Sequence, residues 1–175
     1  MTGAPDLLLT ERLDLRPVAV EDVAELYRIK SAPETSRYLD SHRFERPEAV
    51  REWVERSRLG WEQRGLGYWT VRLRESGEVI GVGGAERRKA FWNVYYRFAP
   101  AHWGHGYATE LALAARRRAR EIDPQALFVA WVHAENAASS VVATRLGLTD
   151  FGLREKDHWD GVPMHCFADR EPEFD

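Results

Sequence analysis

Residues 96–110 read YRFAPAHWGHGYATE, and this stretch sets where the rest of the chain must go. Tyr95, Tyr96 and Phe98 begin it as a strand, Pro100 stops that strand, and Gly104 and Gly106 carry a tight loop into a helix with apolar periodicity. A glycine loop running straight into a helix N-terminus presents unpaired backbone N–H groups and the positive end of the helix dipole. Its glycines also keep side chains away from a close ligand, so the geometry suits a phosphate group. The plain alternative is a strand-to-helix turn that holds nothing.

The flanking residues separate the known phosphate loops. A P-loop would end in Gly-Lys-Ser/Thr, and a dinucleotide fold would need a third glycine at position 109 and an opening strand near the start of its unit. Position 109 is Thr109, the loop has no lysine, and it lies past the middle of the chain. What stands there, Trp103-Gly104-His105-Gly106-Tyr107-Ala108, resembles the acetyl-CoA loop of the GNAT N-acetyltransferases, Arg/Gln-x-x-Gly-x-Gly/Ala, with Trp103 in place of the Arg or Gln. That exchange and the following Ala-Thr-Glu resemble the branch that contains the Rim-type ribosomal-protein acetyltransferases.

A second segment agrees with the first. Leu127 to Val132 reads as a short apolar strand that continues into His133-Ala134-Glu135-Asn136-Ala137-Ala138-Ser139, and a helix then carries Val141, Val142 and Leu146 to Gly147. In the resembled family a strand leads to Asn-x-x-Ser and a helix ending in Leu-Gly-Phe, and Asn136, Ser139 and Leu146-Gly147-Leu148 stand at those positions. The resemblance then covers nearly the whole chain. It implies an α/β fold, a mixed and mostly antiparallel sheet flanked by helices, as a single domain over residues 1–175 with a core of about 7–168.

The remaining chain fits that frame. Leu7-Leu8-Leu9, Leu13, Leu15 and Val18 suggest a first strand ended by Pro17. A helix with Glu21 and Asp22 in its first turn and Val23, Leu26 and Tyr27 on its apolar face should close at Pro33. A second helix starts near Pro47, repeats Val50, Trp53, Val54 and Trp61, and ends at Gly65 and Gly67. Tyr68 to Leu73 and Glu78 to Gly84 read as strands joined at Ser76-Gly77, with Gly81, Gly83 and Gly84 as bulged or closely approached strand glycines. A loop near 87–91 follows. Leu111, Ala112, Ala115, Ala119 and Ile122 make one stripe of the helix after the glycine loop, which Asp123-Pro124 terminates. Phe151 onward, through His158, Trp159 and Asp160-Gly161 to Phe167, fits a closing hairpin, and the acidic tail 171–175 is expected to fray.

Composition bounds the function. The chain has 175 residues, a net charge of −3 and interspersed acidic and basic groups, so nothing electrostatic favours a nucleic acid as the main partner. The run Arg116, Arg117, Arg118 and Arg120 is the one basic cluster, and near a helix C-terminus it reads as a solvated, dipole-favoured face. Cys166 is alone, which excludes an internal disulfide, and the N-terminus lacks the pattern of a signal peptide, so the cytoplasm is the expected location. No apolar run approaches the ~20 residues a membrane helix needs. His102 and His105, or His158 and His165, lack the carboxylate spacing of a metal centre, and no metal is expected.

The resemblance implies acetyl-CoA as cosubstrate and a primary amine as acceptor, either a protein N-terminal amine or a small molecule; it also allows a homodimer. It implies that Phe98 and Ala99 contact the pantetheine arm, that Trp103, Gly104, His105, Gly106, Tyr107, Ala108 and Thr109 hold the pyrophosphate, and that Asn136 and Ser139 meet the arm from the other side. Many family members carry a glutamate base where Asn93 stands and a tyrosine acid where Ala143 stands, and neither residue can do that work. Ser139 is then the candidate proton donor to the thiolate. His133 and Glu86 are the candidate bases, beside a route in which water alone takes the proton. Two rival readings follow from these exchanges: a non-catalytic acyl-CoA-binding or regulatory module, and, on the arginine cluster alone, a ribosome- or RNA-associated protein.

Overall fold

A computed structural model describes residues 7–38, 43–154 and 161–173. Its centre is an eight-stranded sheet in the order β1-β2-β3-β4-β5-β6-β8-β7, formed by β1 (Leu8–Leu9), β2 (Leu13–Pro17), β3 (Tyr68–Leu73), β4 (Val79–Arg88), β5 (Phe91–Phe98), β6 (Leu127–His133), β7 (Thr149–Arg154) and β8 (Met164–Ala168). Helices α1 (Val23–Ser31), α2 (Pro33–Ser36) and α3 (Pro47–Arg64) precede β3, α4 (Tyr107–Ile122) follows β5, and α5 (Ala137–Arg145) follows β6. β5 and β6 pair in parallel, and the other neighbouring strands pair antiparallel. The mixed, mostly antiparallel architecture is the one the sequence predicts.

Strand alternation divides the core. Trp92, Val94 and Phe98 of β5 join Leu111, Ala112, Ala115 and Ala119 of α4 in one buried cluster, while Val23 and Leu26 of α1 and Val50 and Val54 of α3 pack with Tyr68 and Val82 on the opposite side. Period-two strands facing period-3.6 helices produce that division. α4 lies close to the sheet because Gly83 offers it no side chain: a Cβ there would come within 2.6 Å of Leu111 Cδ2. That approach fixes where the N-terminus of α4 points.

Three local expectations change. The first strand is two short strands, β1 and β2, paired through Leu8 with Leu15 and Leu9 with Asp14; the turn between them is closed by Thr10, whose N–H donates to the Leu13 carbonyl at 2.9 Å. Pro33 does not simply close α1 but opens α2, because a proline in a first helical turn has no N–H to leave unsatisfied. The loop expected near 87–91 is mostly strand, since Glu86, Arg87 and Arg88 pair with Asn93, Trp92 and Phe91. The closing hairpin is present as β7 and β8, but His158, Trp159 and Asp160 at its turn lie outside the described residues.

The arginine cluster on α4 is tied into the fold. Arg116 donates to the Leu146 carbonyl, Arg118 to the Gly65 carbonyl at 3.3 Å, and Arg120 pairs with Asp169. These side chains anchor α4 to its neighbours.

β5 and β6 stay paired for only three residues, Phe91 to Asn93 against Leu127 to Val129. Beyond that point β5 remains with β4 through Phe98 and β6 turns to β8 through His133. The two strands part, leaving a wedge between their C-terminal halves.

Candidate active site

A cleft of about 380 Å³ occupies this wedge, and residues from α2, β5, the glycine loop, α4 and α5 line it. The loop comes first. Gly104 and Gly106 have φ of 79° and 80°, a region that only glycine enters without steric cost. Their surroundings are open: a Cβ on Gly104 would meet nothing within 4 Å, and one on Gly106 would meet only Arg12 Nη2 at 3.5 Å. Gly106 caps α4 and offers no side chain to its first N–H groups, and it lines the cleft with Tyr107, Ala108 and Thr109.

The loop is held from behind. Arg12, at the start of β2, donates through Nη1 to the His105 carbonyl and through Nε to Glu110 Oε2, both at 2.8 Å, and its guanidinium lies 4.7 Å over the Tyr107 ring. Tyr107 in turn stacks on His105 at 5.6 Å. Glu110 also accepts from the Thr10 hydroxyl at 2.6 Å and the Arg12 N–H at 2.8 Å. Burial pushes its carboxyl up, but the Thr10 and Arg12 hydrogen bonds and the Arg12 charge outweigh burial and hold it below the usual carboxylate range. The sequence reading missed Arg12, because its partners are nearly a hundred residues away.

The opposite wall is built by the second motif. Asn136 caps α5, its Oδ1 accepting the Ser139 N–H at 3.1 Å, which is the physical reason for an asparagine at the start of that helix. Ser139 of α5 and Tyr96 of β5 both line the cleft, so two hydroxyls face it from opposite walls. Burial pushes the Tyr96 phenol up to about 12, so it is a neutral hydroxyl at ordinary pH. Alternation along β5 puts Tyr96 on the same side as Trp92, Val94 and Phe98, a signal that could have singled it out. Thr109 also lines the cleft, and its Oγ1 is buried without a hydrogen-bond partner among the described residues.

Of the residues named from sequence, Phe98, Trp103, Gly104, Gly106, Tyr107, Ala108, Thr109, Asn136 and Ser139 line the cleft together. Ala99, His105, His133 and Glu86 do not. Ala99 is buried and its N–H donates to the Ile80 carbonyl at 2.9 Å. His105 turns its ring onto Tyr107. His133 stacks on Tyr38 at 5.2 Å, and its Nδ1 accepts the Glu135 N–H at 3.2 Å. Glu86 accepts from the Tyr68 hydroxyl at 3.0 Å and pairs with Arg88 at 2.8 Å. Asn93 sits opposite Glu86 in the ladder with Oδ1 buried and unpartnered among the described residues, and Ala143 is buried in the core.

Behind β5 lies a group the sequence reading did not see. Lys30 is 2% exposed, donates to the Tyr95 hydroxyl at 2.9 Å, and lies 4.1 to 4.9 Å from the ring centres of Trp53, Phe44 and Tyr95. Burial pushes the Lys30 ammonium down. Burial pushes the Tyr95 phenol up, but the Arg97 and Lys30 charges more than reverse it. Arg97, also buried, donates to the Lys30 carbonyl at 3.4 Å and to Ser36 Oγ at 3.2 Å. This cluster fixes α1 and the end of α2 against β5.

Known proteins bear on this arrangement directly. The model of the acetyltransferase (GNAT) domain family matches residues 12–149, well over half the chain, and the chain belongs to that family. It is an acetyltransferase. It is 26% identical over 164 residues to the uncharacterized N-acetyltransferase YoaA of Bacillus subtilis strain 168, covering 90% of this chain and 91% of that protein. The crystal structure of the acetyltransferase from Agrobacterium tumefaciens strain C58 superposes with a TM-score of 0.80 at 26% identity, covering 98% of each chain. RimL, a ribosomal L7/L12 alpha-N-protein acetyltransferase solved in complex with coenzyme A, shares the fold with a TM-score of 0.74 at 18% identity, over 93% of this chain and 96% of that one. RimL thus has the fold that the sequence resemblance implies.

Proposed function

We propose that this chain transfers the acetyl group of acetyl-CoA to a primary amine by direct attack within a ternary complex. The observation that carries the proposal is the wedge itself: two parted strand ends bring the open glycine loop and the Tyr96 and Ser139 hydroxyls into one cleft. The donor fits what is present. The amides at Gly104 to Tyr107 and the unpartnered Thr109 hydroxyl suit the pyrophosphate, and the free edge of β5 up to Phe98 suits an amide-containing arm. That RimL was solved with coenzyme A supports the choice.

Acyl transfer requires a neutral amine, stabilisation of charge on the carbonyl oxygen, and a proton for the leaving thiolate. Ser139 gives its hydroxyl proton to the sulfur as the carbon–sulfur bond breaks. Tyr96 then restores the proton to Ser139 and is itself reprotonated from solvent. In this way β5 supplies the phenol that Ala143 cannot. The proton lost by the amine passes to water, since His133 and Glu86 are both engaged elsewhere and lie off the cleft. No helix among the described residues is long and apolar enough to cross a membrane, and a cytoplasmic enzyme acting on a small amine or a protein N-terminal amine is the form we propose.

Thiol release from acetyl-CoA, measured against peptides, polyamines and aminoglycosides, tests this reading. Release should depend on added amine, and Ser139→Ala should lower kcat by roughly 10²-fold with a smaller change in coenzyme affinity. Failure of every amine to stimulate release would instead favour a non-catalytic coenzyme-binding module.

A further inference from the structure

The glycine loop proposed to hold the pyrophosphate carries no arginine or lysine. Residues 103–109 read WGHGYAT, and Trp103 stands where the motif would place Arg or Gln. Three arginines line the cleft: Arg37, Arg97 and Arg145. Arg97 is buried and already donates to the Lys30 carbonyl and Ser36. Arg145 stands at the end of α5, on the far wall.

Arg37 and Arg145 are both exposed, and Arg37 differs in the two aromatic rings that seat its guanidinium. It caps the C-terminal end of α2, is exposed, and among the described residues has no carboxylate partner. Its guanidinium lies 5.5 Å from the Trp103 ring centre and 4.6 Å from that of Tyr38. Both rings are anchored. Trp103 Nε1–H donates to the Phe98 carbonyl at 2.8 Å, and Tyr38 stacks on His133 at 5.2 Å. One ring therefore belongs to the end of β5 and the other rests against the end of β6, so the guanidinium is carried across the mouth of the wedge. Arg97, by bonding Ser36, fixes the residue just before it. Contact with ring faces engages the plane of a guanidinium and leaves its in-plane N–H donors for a ligand.

We propose that Arg37 is a coenzyme-binding residue: its guanidinium pairs with a pyrophosphate oxygen held by the glycine loop, supplying from the end of α2 the cleft-facing arginine that the loop itself lacks. Trp103 keeps the ring-shaped seat of that charge. The proposal rests on the loop holding the coenzyme, as above.

Calorimetric titration of coenzyme A, dephospho-coenzyme A and pantetheine into wild type and Arg37→Gln tests it without any turnover. A charge-assisted contact of this kind predicts a loss of roughly tenfold or more for coenzyme A. Dephospho-coenzyme A keeps the pyrophosphate and lacks the ribose phosphate, so it should lose the same factor. Pantetheine lacks both and should bind both proteins alike. Trp103→Arg introduced into the Arg37→Gln background should recover part of the coenzyme affinity. An Arg37→Gln affinity within twofold of wild type overturns the assignment, as does an equal loss for pantetheine, which would mark a merely structural role. A variant whose only change is a raised KM for the amine also overturns it and places Arg37 on the acceptor. If wild type itself does not bind coenzyme A, the function proposed above falls as well; if wild type binds and the variant is unchanged, only Arg37 falls.

Discussion

Gly81, Gly83 and Gly84 on β4 have no room for a side chain, whereas Gly104 and Gly106 before α4 have room to spare. A Cβ on Gly81 would come within 2.5 Å of the Phe98 ring, one on Gly83 within 2.6 Å of the Tyr95 carbonyl oxygen, and one on Gly84 within 2.2 Å of the Gly67 carbonyl oxygen. The strand glycines are there for close packing. They let β3, β5 and α4 approach β4, and so set the position of the wedge and of the α4 N-terminus. The loop glycines are there for backbone conformation and access. Crowded strand glycines and open loop glycines should therefore fail differently, and that difference can be measured.

The largest effect is expected at the crowded end. Gly84→Ala forces a methyl group against backbone that has no free torsion to yield, and should cost about 3 kcal/mol or more, read as a large fall in the denaturant midpoint or as loss of soluble protein. A midpoint close to wild type would mean that the β3–β4 spacing is not set by this contact. The smallest effect is expected at the brace behind the loop. Glu110 has its folded-state carboxyl held below the unfolded value, so its contribution is fully present above the unfolded pKa and is lost as pH falls through that value toward the folded one. Glu110→Gln should be less stable than wild type at neutral pH and show a flatter acid limb over that window. Identical acid limbs in the two proteins would remove Glu110 from the account of how the loop is held.

What was legible in the sequence follows the same line between local and distant contacts. The glycine loop, the Asn136 cap and the run of helices and strands are written in neighbouring residues, so periodicity and turn chemistry expose them. Arg12, Arg37 and Tyr38 act through partners brought in by the sheet order or by α2, and no local pattern marks them. Lys30 left a trace. It falls seven residues after Val23 and four after Leu26, on the buried stripe of α1, where a lysine calls for an enclosing partner. Tyr96 left another in the alternation of β5. The extension of β4 through Arg88 was hidden because Glu86 to Arg88 are polar, and their strand character comes from pairing with β5.

The central claim is that open, positive-φ glycines before α4 hold the coenzyme. Calorimetric titration of coenzyme A into wild type and Gly106→Val tests it most directly. The left-handed conformation at position 106 costs an L-residue about 1–2 kcal/mol and a β-branched one more, which a domain of this size should survive, so the variant should melt cooperatively at a lower midpoint while its coenzyme affinity falls by roughly 10²-fold. A folded Gly106→Val protein that binds coenzyme A as tightly as wild type would contradict the account.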